Sequence, residues 1–527
     1  MTSPEVPHSQ RADADSLVIG APHGEEVAVV PWPLLIRERI RRRAASSDRY
    51  RWWVLVVVLA GLLSSNVLFT VFVVALPRVA AGLNTTVATA TWVVTAPMLA
   101  VAVFVPLGGK LSDRWGHRRV YLIGLTGSVG VALLSALSPN IATLIFARAL
   151  GGVAGAGLGA SSMALVLALF PKGERVKAMG WWALVGAGGP VLGVAIGGVL
   201  IQSIGWRSLF LLEILLGSIA LALALLVLPE HGAGQKRVVP GTSLDWPGAI
   251  LVITAVGSLL FGLNRGPLLG WGSDFVVGAF TLSFLAALLL VAVELRAQDP
   301  LVPLHYMRRG SFSFPIVAQV LSNFAYMGGF FLAPLLLEQV YGHGESAAGL
   351  LVIPRPLSFS LIAPVAGYVA VRVGERAAAV TGTLAVVVSM GLFASTGQGG
   401  GILLVELALV MSGIGMGIAS PSIAASVSNV VDQDALGTAS ATQQLMVQIA
   451  TVAGIQVMQT VQESAAKRPG TDLLSSFHAA FIVGGAVALV GVAFATRVRS
   501  TVRIRKPATA TSEIEGFGGL AEERVTA

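Results

Sequence analysis

Cysteine is absent from all 527 residues, which excludes disulfides and thiolate metal sites and leaves the redox compartment unmarked. Charge is scarce too, with Asp, Glu, Lys and Arg together making up 12% of the chain. A soluble domain carries about twice that fraction to cover its surface. Only seven histidines occur, scattered like His305 and His343, and no phosphate-cradling glycine loop is present. No metal site and no cofactor is therefore expected, and an enzyme is the least favoured class. The first fifty residues hold no apolar run of signal-peptide length, so targeting falls to the first membrane span.

Apolar residues are abundant, at 55% of the chain, and the mean hydropathy is +0.79. Runs of about 20 apolar residues, the length that crosses a hydrocarbon core, recur about fourteen times. The expected spans lie near 52–76, 90–109, 119–137, 141–168, 178–203, 206–228, 247–264, 275–295, 312–340, 346–370, 377–396, 401–424, 437–461 and 477–497. The net charge of +8 does not point to nucleic acid, because the basic residues sit in short loops on alternate sides. Lys110, Arg114, Arg118, Arg119, Lys172, Arg175, Lys177, Lys236, Arg237, Arg308, Arg309, Arg372 and Arg376 fall on one side. Arg78, Arg207, Arg265, Lys467 and Arg468 fall on the other. The positive-inside rule then puts both termini in the cytoplasm of a multi-pass cell-membrane protein, expected in a bacterial inner membrane. Within residues 1–50, apolar and arginine residues interleave over 32–49, which reads equally as an interfacial helix or a solvated topology signal.

The chain repeats itself. Gly155, Gly157 and Gly159 recur as Gly413, Gly415 and Gly417 at a shift of 413 − 155 = 258. The same shift carries Pro106 to Pro364, Gly109 to Gly367, Gly116 to Gly374 and Arg118 to Arg376. The expected architecture is all-α and integral to the membrane, with two pseudo-symmetric six-helix bundles at 51–228 and 312–498. An inserted helix pair with its linkers occupies 229–311, and tails occupy 1–50 and 499–527. An even number of spans per half makes the repeats parallel, so substrate is expected between them near the midplane.

The segment from Gly109 through Asp113, Arg114, Gly116 and Arg118 to Arg119 sets one acid among bases at a tight turn. An acid so placed latches a neighbouring helix end by charge-assisted hydrogen bonds. Every position of the pattern G-x-L-x-D-R-x-G-x-R-R is met, and here the chain resembles the major facilitator superfamily. The resemblance implies that Asp113 and the arginines gate an alternating-access cycle. In the second copy Val371 stands where the acid would be, so the latch is expected to be one-sided. Leu144, Arg148 and Gly152 match the L-x-x-x-R-x-x-x-G motif of drug:proton antiporters, which implies a part for Arg148 in proton transfer. Gly189, Pro190 and Gly193 look like the antiporter signature G-P-x-x-G; as plain chemistry they kink a helix and let a neighbour approach closely. Ala75-Leu76-Pro77 after span 1, Trp206-Arg207 and Leu244-Asp245-Trp246-Pro247-Gly248 extend the resemblance to the fourteen-span drug:proton antiporters.

One departure matters. Leu68 stands where that family carries an aspartate in span 1, and Val73 where it carries an asparagine. Glu213 in span 6, with Glu406 in span 12 second, is expected to replace the missing acid in coupling, with Arg148 as counter-charge and Arg355 as a further buried base. They share one depth, so a single charged layer with acid–base pairing is expected. Asn66, Thr70, Trp92, Gln319, Asn323 and Gln443, polar or amphipathic groups in apolar helices, are the candidate substrate liners.

The function so expected is export of a small hydrophobic or amphipathic drug or lipid, driven by protons, by a monomer among membrane lipids. The alternatives are a metabolite or lipid exporter with facilitated or other coupling, and a membrane sensor that transports nothing.

Overall fold

The computed structural model describes residues 49–229, 245–297, 300–301, 304–397 and 401–500. The expected interfacial segment at 32–49, most of the linker before the inserted pair and nearly all of the C-terminal tail lie outside them.

The described residues are helical almost throughout. In the first half run α1 (Tyr50–Asn66), α2 (Leu68–Gly82), a single turn α3 (Val87–Ala90), α4 (Trp92–Trp115), α5 (His117–Ala136), α6 (Ile141–Leu169), α7 (Arg175–Ser203) and α8 (Ser208–Val227). The inserted pair is α9 (Trp246–Leu269) and α10 (Asp274–Glu294). After the turn α11 (Leu304–Met307) come α12 (Gly310–Gln339), α13 (Glu345–Leu351), α14 (Pro354–Val373), α15 (Glu375–Ala394), α16 (Gly401–Asn429), α17 (Leu436–Ala466) and α18 (Leu473–Ala495). Among the described residues, eleven helices are long and apolar enough to cross a membrane by length and composition. Their outward faces are apolar as lipid contact requires. On α8, Leu211, Leu215 and Ile219 are each more than half exposed, while Glu213, Gly217, Ala220 and Ala224 on the other face are buried.

The ends of the helices follow from local chemistry. Asn140 caps α6 by accepting from Thr143 N at 2.9 Å, and Asp245 caps α9 by accepting from Gly248 N at 2.8 Å. Each such cap satisfies an amide that the helix itself cannot. The turns between α4 and α5 and between α14 and α15 hinge on Gly116 at φ 92° and Gly374 at φ 91°. That left-handed conformation strains any side chain, and the two glycines are equivalent under the shift of 258, 374 − 116.

Two expected boundaries are corrected. The first span runs longer than expected: the backbone stays helical at Val67 (φ −54°, ψ −37°) between α1 and α2, and α2 runs through Pro77 to Gly82 instead of ending near residue 76. The tenth begins as two pieces, because Pro354 and Pro356 cannot continue α13 and open α14 instead.

Helices of the first half pack on one another, α6 against α4 and α5, and α8 against α1 and α5. The second half repeats the scheme with α16 against α14 and α15, and α18 against α12 and α15. The halves meet symmetrically, α4 against α17 and α7 against α14. The inserted α9 lies across that seam. Its Val252, Val256 and Leu260 share one apolar cluster with Ala102 and Val105 of α4, Ala156 and Ala160 of α6, and Ala441 and Leu445 of α17.

Candidate functional site

Asp113, in the last turn of α4, reaches across to the other half. Its carboxylate accepts from Gly437 N at 2.6 Å, from Thr438 N at 2.7 Å and from Thr438 Oγ1 at 2.6 Å. These are the first amides of α17, so the acid caps a helix N-terminus where unsatisfied N–H groups and the helix dipole favour negative charge. The backbones must be close for this to happen. A Cβ on Gly109 would come within 2.5 Å of the Gly437 carbonyl oxygen, so a side chain larger than hydrogen would hold α4 and α17 apart. Gly116 supplies the turn just beyond, tied by Ser112 Oγ and His117 Nδ1 at 2.7 Å. Arg114 and Arg118 are half-buried beside it and Arg119 is exposed.

A second bridge joins the halves at the same end, and sequence reasoning passed it over. Arg175, 2% exposed at the start of α7, donates to Ser428 O at 2.6 Å and to Asn429 Oδ1 at 3.4 Å. Lys172 donates to Asn429 O at 2.9 Å. These carbonyls close α16, where the dipole favours cations. In turn, Asn429 Nδ2 donates to Glu375 Oε1 at 3.3 Å, at the start of α15. In the sequence Arg175 and Lys172 looked like two more loop cations, because partners that are backbone carbonyls leave no side-chain signature. With Gly180 packed on Ala363 and Gly367 on Val176, the close approaches between the halves gather at the end that bears Asp113.

The buried charges do not all pair as expected. Arg148 is held in an aromatic cage, its guanidinium 4.8 Å from the Phe72 ring and 6.0 Å from the Phe210 ring. Its Nε donates to Val93 O at 3.3 Å. Glu213 is buried nearby, 8% exposed, and its charge interacts with that of Arg148. Arg355 and Glu406 do not join them. Arg355, 1% exposed, turns onto α12, donating to Tyr326 O and lying over the Tyr326 and Phe330 rings, 3.5 and 4.5 Å away. Glu406 stands seven residues (413 − 406) before Gly413, the glycine of α16 that packs on the Arg355 carbonyl. At about 1.5 Å per residue this is ~10 Å along the axis, and no ion pair joins the two side chains. Glu406 Oε1 is buried without a hydrogen-bond partner.

The candidate liners divide. Gln319 and Asn323 of α12 and Gln443 of α17 are buried together. Gln443 Nε2 donates to Gln319 Oε1 at 2.6 Å, while Asn323 Nδ2 donates to Val447 O at 3.1 Å and Thr451 Oγ1 at 2.8 Å. They form a polar seam inside the second half. Gln443 Oε1 has no partner. Asn66 ends α1 against Gly189, and the side chain of Thr70 lies outside the described residues. Trp92 is elsewhere, under the Arg265 guanidinium of α9 at 5.1 Å, because α9 packs along α4. Gly193 of α7 seats the Val67 carbonyl of the first span, and Pro190 stands one turn before it.

This arrangement, two repeated bundles joined at one end by helix-terminus latches, agrees with sequence comparison. The family model of the Major Facilitator Superfamily matches residues 47–455. The chain belongs to that superfamily. It is 30% identical over 373 residues to the tetracenomycin C resistance and export protein of Streptomyces glaucescens, covering 71% of this chain and 69% of that one. It is 30% identical over 461 residues to the methylenomycin A resistance protein of Streptomyces coelicolor, covering 86% and 93%. In fold it is similar to the crystal structure of the human organic anion transporter MFSD10, with a TM-score of 0.61 at 18% identity over 84% of this chain and 99% of that one. The superfamily member described here is a multi-pass membrane transporter.

Proposed function

We propose that the chain is a fourteen-span, proton-coupled exporter of hydrophobic or amphipathic drugs or lipids. Both termini lie in the cytoplasm, and Asp113 latches the cytoplasmic end of its alternating-access cycle. The observation that carries the mechanism is the triple capping of α17 by Asp113 across the two halves. Formed, the latch closes that end of the seam; released, it lets the bundles rock apart and admit substrate from the cytoplasm or bilayer. Similarity to antibiotic resistance and export proteins supports outward transport, and the mostly apolar interior supports an apolar cargo.

Coupling falls to Glu213. With Leu68 in place of the usual span 1 acid, Glu213 is the buried acid next to a buried arginine. A carrier of this kind takes up a proton when the counter-charge withdraws and loses it when the counter-charge returns. Arg148 is caged by rings and a backbone carbonyl rather than clamped to Glu213, which leaves the acid free to change its protonation. Asn66, Gln319, Asn323 and Gln443 are retained as liners, Gln443 Oε1 being an acceptor awaiting a donor. A second reading, export without protons, rests on the same missing span 1 acid.

The experiment is efflux of a varied dye and drug panel from inside-out vesicles holding the full chain, with and without an imposed pH gradient. Uphill movement that appears only with the gradient is expected. Equal rates without it would leave facilitated transport as the better account.

A further inference from the structure

A hollow of about 300 Å³ opens at the end of the bundle that carries the latches, lined by Arg309, Gly310, Ser311, Phe314, Arg497 and Arg499. It sits at that end because Tyr306, three residues before Arg309, donates to Asp432 Oδ2 at 2.6 Å, just ahead of the helix that Asp113 caps. Surface cations there serve topology in any membrane protein. These differ in three respects. They converge from two helices, the start of α12 and the chain leaving α18, onto one concavity. None of the three has an ion-pair partner among the described residues; two of them contact rings, Arg309 over Tyr306 at 5.3 Å and Arg497 over Phe314 and Phe494 at 5.6 and 5.9 Å. Finally, Gly310 and Ser311 bring to the rim the first turn of a 30-residue helix without a side-chain cap. Guanidinium forks and uncapped amides both select a phosphate oxyanion.

The surroundings decide which phosphate. Back along α18 from the hollow, Leu489 and Val490 are 55% and 51% exposed, and at about 1.5 Å per residue they begin ~10 Å from Arg497. An apolar face leading from a cationic hollow is the shape of a lipid, headgroup at one end and acyl chain at the other. We propose that this hollow binds the phosphodiester headgroup of an anionic phospholipid, whose chains lie along α18. Bound there, the lipid ties the first helix of the second half to the last. The inference rests on the membrane topology proposed above; its test reads binding alone, so a failure of proton coupling leaves it standing.

The test uses the full chain purified in a neutral detergent and titrated with dioctanoyl phosphatidylglycerol. The thermal unfolding midpoint and the bound lipid seen by native mass spectrometry are followed together. Dioctanoyl phosphatidylcholine and inorganic phosphate serve as the other two probes. Phosphatidylglycerol is expected to bind and raise the midpoint, less so as salt rises, while the other two leave it unmoved. Each arginine contributes about fivefold to affinity, so Arg309→Gln with Arg497→Gln and Arg499→Gln loses on the order of a hundredfold. The corresponding lysine substitutions keep most of the binding. Should the triple variant fold poorly, Arg499→Gln alone alters an exposed residue and still loses about fivefold. Undiminished phosphatidylglycerol binding in the glutamine variants overturns the site. An equal response to phosphatidylcholine overturns the selectivity, and an equal response to inorganic phosphate overturns the lipid.

Discussion

Replacing Asp113 by Asn removes a charge and one acceptor while keeping the shape. The carboxylate accepts from two backbone amides and one hydroxyl at 2.6–2.7 Å; a carboxamide has a single acceptor oxygen and turns an NH₂ toward the remaining donors. A hydrogen bond to a charged group is worth about 1.5–3 kcal/mol net, roughly twice a neutral one. The substitution therefore weakens the latched form by about 2–4 kcal/mol, which is ~30- to ~1000-fold in its population relative to the unlatched form. Folding is largely spared, because the bonds join the two halves and not the core of either. The natural absence of cysteine makes the population measurable. Met163 is 2% exposed and touches Gln444 across the seam, Sδ to Nε2 at 3.8 Å. In a Met163→Cys background, labelling by a membrane-impermeant maleimide reports how often that end stands open. Asp113→Asn is expected to speed labelling and to slow net export strongly, with expression and substrate affinity near normal. Unchanged labelling together with unchanged turnover would refute the latch.

Arg175→Gln combined with Lys172→Gln should act in the same direction, freeing the last carbonyls of α16 and speeding the same labelling; wild-type protection would remove the second bridge from the mechanism. Gly109→Val should fold but fail to close, since its Cβ would lie 2.5 Å from the Gly437 carbonyl; normal transport by this variant would mean that the close approach is incidental. Glu213→Gln should abolish pH-driven efflux while substrate exchange persists, and Glu406→Gln should leave both intact. Unchanged pH dependence in the Glu213 variant ends the coupling assignment.

The sequence made the fold legible where periodicity and repetition were redundant. Gly116 and Gly374 stand at one offset and adopt one conformation, φ 92° and 91°, so the repeat is a repeat of backbone geometry. The close approach at Val67 was not legible: it is a tertiary contact, the Val67 carbonyl lying against Gly193 of a distant helix. At the site, Asp113 stood out because its neighbours form a dense local pattern. Arg175 did not, because its partners in the other half, Ser428 O and Asn429 Oδ1, lie 253 and 254 residues away. The expected pairing of all four buried charges failed for a related reason. Depth along a helix is readable from residue counts, but the direction in which Arg355 turns depends on where Tyr326 and Phe330 stand.

The two bridges use opposite charges on opposite helix ends. Asp113 of the first half meets the N-terminus of α17, and Arg175 with Lys172 of the same half meets the C-terminus of α16. A helix end presents its partial charge through backbone groups that no substitution removes, so each latch needs a side chain from one half only. This explains how Val371 can occupy the second half's acid position without loss of closure: the second half contributes helix ends, and the first contributes charges. Backbone donors in a helix are also fixed in direction, so the bonds at Gly437 and Thr438 form together or not at all as α17 tilts. Such a contact favours two discrete arrangements over a continuum. The inserted α9 adds to this by packing its Val252, Val256 and Leu260 over α4 and α17 at once. Rocking that parts α4 from α17 must then peel α9 from one side of the seam. The inserted pair thereby forms an apolar layer over the side of the seam where Asp113 bonds to α17.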